Sequence, residues 1–122
     1  MIVSGSRSYT NYEDFKTKMD YTLSKIKHRY YISIISGGAK GADTMAKRYA
    51  EERQYLFHEL CADWKTYGKA AGMIRNKEML DLALSSFRLC ALVAFPSEKS
   101  IGTYGMIGIA KEAGVSTKIF TI

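Results

Sequence analysis

The segment from Ile32 to Asp43, ISIISGGAKGAD, joins an isoleucine-rich run to three glycines. The apolar run is typical of a buried β-strand, and the apolar spacing after it predicts a helix over about residues 41–53. Glycines between a strand and a helix allow a tight turn, or let backbone N–H groups point at an anion. The segment therefore predicts a strand–loop–helix unit whose loop at Gly37–Gly41 is either an anion-binding loop or a structural turn.

The same alternation of strands and helices continues on both sides of this segment. It predicts an α/β fold, with a parallel sheet and helices on both faces, in a single domain over residues 1–122. The predicted helix over about residues 71–85 is apolar on most sides, and we expect it to be well buried. The predicted strands are Met1–Ser4, Ile32–Ser36, Leu56–Leu60, Arg88–Phe95 and Val115–Ile122. The other predicted helices cover about residues 11–28, 71–85 and 102–113, and residues 61–70 are predicted to be a loop.

Composition narrows the classes of protein. The 122 residues are 47% hydrophobic and 25% charged, and no apolar run approaches the length of a membrane span. The net charge of +6 is spread evenly over both halves, which disfavours a nucleic-acid-binding tail. We expect a cytoplasmic protein with no membrane partner, because the first residues do not form a secretory signal.

The cysteines and histidines do not have the spacing of metal ligands. Cys61 and Cys90 are expected to be small buried apolar residues. His28 and His58 are expected on the surface or in a strand. We therefore expect neither a metal site nor a cofactor.

The loops after the first two strands carry candidate ligand-binding residues, because parallel sheets bind ligands beyond the carboxyl ends of their strands. The guanidinium of Arg7 suits a phosphate or a carboxylate, or pairs with an acidic neighbour. Asp43, in the first turn of a helix, either interacts favourably with the helix dipole or contacts a ligand hydroxyl. The candidates in these two loops are Gly5, Ser6, Arg7, Ser36, Gly37, Gly38, Lys40, Gly41 and Asp43.

The next two loops add aromatic and basic residues. Trp64 or Tyr67 could pack on a base or a ribose beside the basic groups. Arg75, early in an apolar helix, needs a ligand or an acidic partner such as Asp63 or Glu78. Thr103 either caps the last helix or binds a phosphate. The candidates here are Asp63, Trp64, Tyr67, Lys69, Arg75, Asn76, Gly102 and Thr103.

Six motifs follow one another along almost the whole chain: Gly5-Ser-Arg7, Ser36-Gly-Gly-Ala-Lys-Gly-Ala-Asp43, Ala62-Asp-Trp64, Tyr67-Gly-Lys-Ala-Ala-Gly72, Arg75-Asn76 with Met79, and Gly102-Thr103. Together they resemble the YspA-like branch of the SLOG superfamily, which is related to the lonely-guy phosphoribohydrolases and to DNA-processing protein A. The resemblance implies a Rossmann-like three-layer fold with about five mainly parallel strands and helices on both faces.

The resemblance also carries functional expectations. It implies binding of a nucleotide or a nucleotide-derived signalling molecule, such as an ADP-ribose-like molecule or a cyclic nucleotide. The protein would be a sensor or would sequester its ligand, and many relatives belong to phage–bacterium conflict systems. Such relatives associate through helix faces, so a homodimer or a larger homo-oligomer is expected.

One departure from the family concerns catalysis. The phosphoribohydrolase branch carries Pro-Gly-Gly-x-Gly-Thr-x-x-Glu, whereas here the loop after Pro96 is longer and Met106 stands in the place of the glutamate. Methionine cannot transfer a proton, so the resemblance favours a binding protein. Hydrolysis of the N-glycosidic bond of a nucleoside monophosphate is the alternative. In that case Arg75 and Asp43 are the catalytic candidates, and Asp43, Asp63 or Glu98 would supply the acid. Nucleic-acid binding is the third and least favoured hypothesis.

Overall fold

The structure is a computed structural model that describes residues 1–26, 32–86 and 90–122. Its sheet contains five strands, all parallel, in the order β3-β2-β1-β4-β5. The strands are β1 (Ile2–Gly5), β2 (Ser33–Ser36), β3 (Leu56–Glu59), β4 (Ala91–Phe95) and β5 (Ser116–Ile119). The predicted parallel sheet is therefore confirmed, with β1 at its centre.

The described residues form five α-helices, which lie in the connections between the strands. They are α1 (Tyr12–Leu23), α2 (Ala42–Arg53), α3 (Trp64–Tyr67), α4 (Ala71–Ser86) and α5 (Ile101–Glu112). The first helix ends at Leu23, so its predicted extension over residues 24–26 is wrong. His28 and the predicted start of the fourth strand at residue 88 lie outside the described residues. None of the described helices is long and apolar enough to cross a membrane.

The predicted loop over residues 61–70 is wrong, because this segment contains α3 and a 3₁₀ turn at Gly68–Ala70. The Asp63 side chain caps α3 by accepting a hydrogen bond from the Thr66 backbone N–H at 3.1 Å. That bond satisfies one of the donors left unpaired at a helix start. The short helix therefore holds Trp64 in an ordered turn.

Two apolar cores cover the two faces of the sheet. Val3 and Ile34 face the core formed with α1 and α2, whereas their neighbours Ile2 and Ile35 face the core formed with α4 and α5. This alternation follows from the two-residue period of a strand. It confirms a three-layer fold with helices on both faces of the sheet.

Two expectations about burial are wrong. In α4, Met73 and Leu84 are 47% and 49% exposed, because this helix packs through the side that carries Met79, Leu80 and Ala83. Cys61 is exposed, since it lies in the loop after the edge strand β3 rather than in a core. Apolar residues all around a helix do not show which of its sides is covered.

The loop before α2 crosses closely over the end of β1. Gly41 has φ +77°, and a Cβ added there would lie 2.6 Å from the Arg7 carbonyl oxygen and closer still to that of Ser6. The N–H of Ala42, at the start of α2, donates to this Ser6 carbonyl at 3.1 Å. Only glycine permits both the left-handed backbone and this approach.

Gly41→Ala is expected to lower the free energy of unfolding by at least about 2 kcal/mol, because it adds both backbone strain and overlap with a carbonyl. Gly108→Ala is the matched control, since Gly108 lies within α5 and an added Cβ there meets open space. The control should raise stability by up to about 1 kcal/mol. Urea denaturation measures both variants, and an equal response of the two would contradict the role assigned to Gly41.

Candidate ligand-binding site

A cleft of two lobes opens beyond the carboxyl ends of the strands. The large lobe is about 860 Å³ and lies at the ends of β1 and β4, the strands between which the direction of winding reverses. The small lobe is about 500 Å³ and lies against the Gly37–Lys40 loop. Both volumes suit a small-molecule ligand, and the point of reversal is where such sheets bind ligands.

The structure brings twelve of the predicted site residues to this cleft. Those lining the large lobe are Gly5, Ser6, Arg7, Asp43, Trp64, Lys69, Arg75, Gly102 and Thr103. Gly37, Gly38 and Lys40 line the small lobe, together with Arg7, Trp64 and Arg75. Arg7 and Arg75 therefore border both lobes.

Five of the predicted residues line neither lobe: Ser36, Gly41, Asp63, Tyr67 and Asn76. Ser36 is buried, and its hydroxyl donates to the Val3 carbonyl at 2.9 Å. Asp63 caps α3, and Tyr67 is half-exposed at the end of that helix. These five residues therefore belong to the scaffold around the cleft.

Asn76 supports the cleft from behind. Its side-chain amide donates to the Gly102 carbonyl at 3.0 Å, and its carbonyl oxygen accepts from the Arg75 Nε at 3.2 Å. Asn76 is buried, and its hydrogen bond to Gly102 joins α4 to the start of α5. It orients Arg75 without facing the cleft itself.

Arg75 is held by a backbone carbonyl rather than by an acidic side chain. Its Nη1 donates to the Gly37 carbonyl at 2.7 Å. The ion pairs among the described residues leave out Arg75, Asp63 and Glu78, so the predicted alternative of pairing with either acid is wrong. The guanidinium is thus fixed in place at the border of both lobes.

The Asp43 carboxylate folds back onto the glycine loop. Its Oδ2 accepts a hydrogen bond from the Ala39 N–H at 3.1 Å. Burial raises the pKa of Asp43 above its ordinary 3.8, and this effect outweighs the loop amides and the Arg75 charge, which lower it. The predicted anion-binding loop therefore already holds an internal carboxylate.

The start of α5 has no such internal partner. Its N-cap residue, Ser100, makes no side-chain capping bond. The N–H groups of Gly102 and Thr103 have no acceptor among the described residues. Thr103 is the third residue of the helix, so the prediction that it caps the helix is wrong. A helix start of this kind attracts anions.

Thr103 is 5% exposed and lines the large lobe. Its hydroxyl hydrogen-bonds to no described residue. Every fully enclosed side-chain oxygen or nitrogen of the described residues has a hydrogen-bond partner, so this hydroxyl is not fully enclosed. The hydroxyl therefore opens into the cleft, where a ligand would supply its partner.

A row of serine hydroxyls joins the loops after β1 and β4. Ser6 Oγ lies 2.8 Å from Ser8 Oγ and accepts from Ser97 Oγ at 3.0 Å, and Ser97 Oγ lies 3.0 Å from Ser100 Oγ. Sequence reasoning did not select Ser8, Ser97 or Ser100, and it also missed the neighbouring Lys99. The available signal was their position directly after strands that share one edge of the sheet.

Among the described residues, no group of three or more His, Cys, Asp or Glu side chains is arranged to hold a metal ion. The chemical resources of the cleft are hydroxyls, one open helix start, two carboxylates at Asp43 and Glu98, and several cations. These groups suit an anionic ligand that also carries hydroxyls.

A protein family and a phage protein are similar to this chain. A family model described as YAcAr, the YspA, cpYpsA-related SLOG family, matches residues 1–67. The Gene 61 protein of Mycobacterium phage D29 is 34% identical over an alignment that covers 94% of this chain and 90% of the phage protein. The family match includes Arg7 and the glycine loop, and the phage protein matches over nearly the full length.

Asp43→Asn is expected to remove the contribution of residue 43 to the pH dependence of the free energy of unfolding. Because the folded state raises the pKa of Asp43, the stability contributed by this group is full below pH 3.8 and is lost as the pH rises through the raised pKa. The asparagine oxygen still accepts from Ala39 and does not ionise. Urea titration on both sides of pH 3.8 measures the free energies of unfolding of the original chain and of Asp43→Asn. The two values should be closest at low pH and should separate above pH 3.8, where the variant becomes the more stable relative to the original chain.

Asp63→Asn provides a control of opposite sign. Hydrogen bonds from Thr66 lower the pKa of Asp63, so its contribution is present above pH 3.8 and is lost as the pH falls. A constant difference in stability between the original chain and Asp43→Asn across this range would rule out the assigned pKa direction.

Proposed function

Because the chain belongs to the YspA, cpYpsA-related SLOG family, we propose that it binds a nucleotide or a nucleotide-derived signalling molecule in the two-lobed cleft. Membership of this family suggests binding or processing of nucleotide-related ligands. An ADP-ribose-like molecule or a cyclic nucleotide is the proposed class. The protein senses or sequesters that molecule, and the phage relative fits a role in phage–bacterium conflict.

The observation that carries this proposal is the open start of α5. The Thr103 hydroxyl and the N–H groups of Gly102 and Thr103 have no partners among the described residues. A phosphate oxygen accepts hydrogen bonds from such donors and is stabilised by the helix dipole. Arg7 and Lys99 line the same lobe and add positive charge.

The remaining lining suits the other parts of a nucleotide. Trp64 is 50% exposed and lies on the wall shared by both lobes, where its indole can stack on a base. The hydroxyls of Ser8, Ser97 and Ser100 can exchange hydrogen bonds with a ribose. The whole arrangement supports a ligand that is anionic at one end and aromatic at the other.

Hydrolysis of an N-glycosidic bond is the second candidate function, because two carboxylates line the large lobe. The raised pKa of Asp43 suits a proton donor, and Glu98 is exposed to the same space. Met106, in contrast, is 0% exposed and packs in the core, so it supplies no group to the cleft. The binding function remains the preferred proposal, since it needs only the donors and charges already described.

Thr103→Val is expected to weaken binding about ten- to a hundred-fold, because it removes a hydroxyl that hydrogen-bonds to a charged phosphate while keeping the side-chain shape. Isothermal calorimetry with AMP, ADP-ribose, cyclic ADP-ribose and cyclic diadenosine monophosphate measures the affinities. Thr17→Val, on the exposed side of α1, is the matched control and should leave them unchanged.

The same samples are then analysed by chromatography after long incubation. Recovery of intact ligand supports binding alone, whereas release of free base and ribose 5-phosphate supports the hydrolase. If none of the nucleotides binds or is consumed, the proposed function is wrong.

A further inference from the structure

The small lobe has a charge pattern of its own. Three cationic side chains line it, from Arg7, Lys40 and Arg75, and no acidic residue of the described chain does so. None of the three takes part in an ion pair among the described residues. The large lobe differs, because Asp43 and Glu98 offset part of its positive charge. Four cationic side chains and two carboxylates line the large lobe, so the small lobe differs in having an excess of positive charge that no lining carboxylate offsets.

The positive charge of the small lobe comes from side chains, not from the glycine loop. The loop gives the Ala39 N–H to Asp43 and the Gly37 carbonyl to Arg75. Those contacts hold the loop and the Arg75 guanidinium in place before any ligand enters. An anion in the small lobe would therefore meet a preset guanidinium together with the exposed Arg7 and Lys40.

The two lobes adjoin each other, because Arg7, Ala39, Trp64 and Arg75 line both of them. A ligand that occupies both lobes would pass these four residues on its way from the start of α5 to the small lobe. The open helix start at Gly102 and Thr103 lies in the large lobe only. The cleft therefore offers two distinct places for negative charge, with an aromatic side chain on the wall between them.

We infer that the small lobe is a second anion site and that the ligand is a nucleotide derivative with phosphate groups at two separate positions. One phosphate binds at the start of α5, and the other binds among Arg7, Lys40 and Arg75. This inference rests on the proposed function, because it assigns the class of ligand that the cleft takes. A mononucleotide would fill only one of the two positions.

Titration of the ¹⁵N-labelled protein with inorganic phosphate tests the two positions directly. The amide signals of Gly102 and Thr103 should form one responding set, and those of Gly38, Ala39 and Lys40 a second set with its own dissociation constant. Lys40→Ala should weaken the second set about tenfold and leave the first within about twofold. Lys47→Ala, an exposed change on α2 that lines neither lobe, should alter neither set.

Calorimetry then tests the ligand class. Adenosine 3′,5′-bisphosphate or cyclic diadenosine monophosphate should bind at least about tenfold more tightly than AMP. Lys40→Ala should remove most of this gain, whereas Lys47→Ala, which lines neither lobe, should leave the affinities for AMP and for both two-phosphate ligands unchanged. Thermal unfolding of each variant confirms that the fold is intact.

The outcomes separate the two proposals. Phosphate shifts confined to Gly102 and Thr103, or equal affinities for AMP and both two-phosphate ligands, would overturn the second site and leave the proposed function standing. Failure of phosphate and of every nucleotide to bind would overturn both.

Discussion

The cleft depends on the close approach of the loop before α2 to the end of β1. Gly41 permits this approach, and the Ala42 N–H then bonds to the Ser6 carbonyl at 3.1 Å. The Ser6 N–H bonds in turn to the Phe95 carbonyl at 2.9 Å. The end of β1 is thereby tied to α2 on one side and to β4 on the other. These bonds place Arg7 where it borders both lobes.

The starts of α2 and α5 differ in the charge that lies beside them. At α2, the Ala42 N–H donates to the Ser6 carbonyl, and the buried Asp43 carboxylate in the first helical turn accepts from the Ala39 N–H of the preceding loop. At α5, the first turn carries no acidic residue, and the N–H groups of Gly102 and Thr103 have no acceptor among the described residues. A carboxylate at the first helix start repels a second anion, whereas the second helix start leaves a place for one.

Local sequence was sufficient to predict the strands and the parallel sheet, because each strand is a short apolar run followed by a helix-forming segment. It also placed Arg7, Trp64, Arg75 and Thr103 near one edge of the sheet, since all follow strand ends. It did not predict α3, which is only four residues long and has no helical period; the Asp63–Thr66 spacing was its only signal.

Other features depended on packing that no local pattern records. The inward turn of Asp43 and the exposure of Met73 follow from which surface each element covers. The serine row depends on the adjacency of β1 and β4, strands that lie far apart in sequence.

That same adjacency has a consequence for folding. Ser6 and Ser97, which meet in the cleft, are 91 residues apart in the chain. Pairing of β1 with β4 therefore closes a long loop, and such long-range contacts slow folding. A ribosome-bound chain that lacks its last third has no complete cleft, because the residues from Ser97 to Thr103 that line the large lobe have not yet been made.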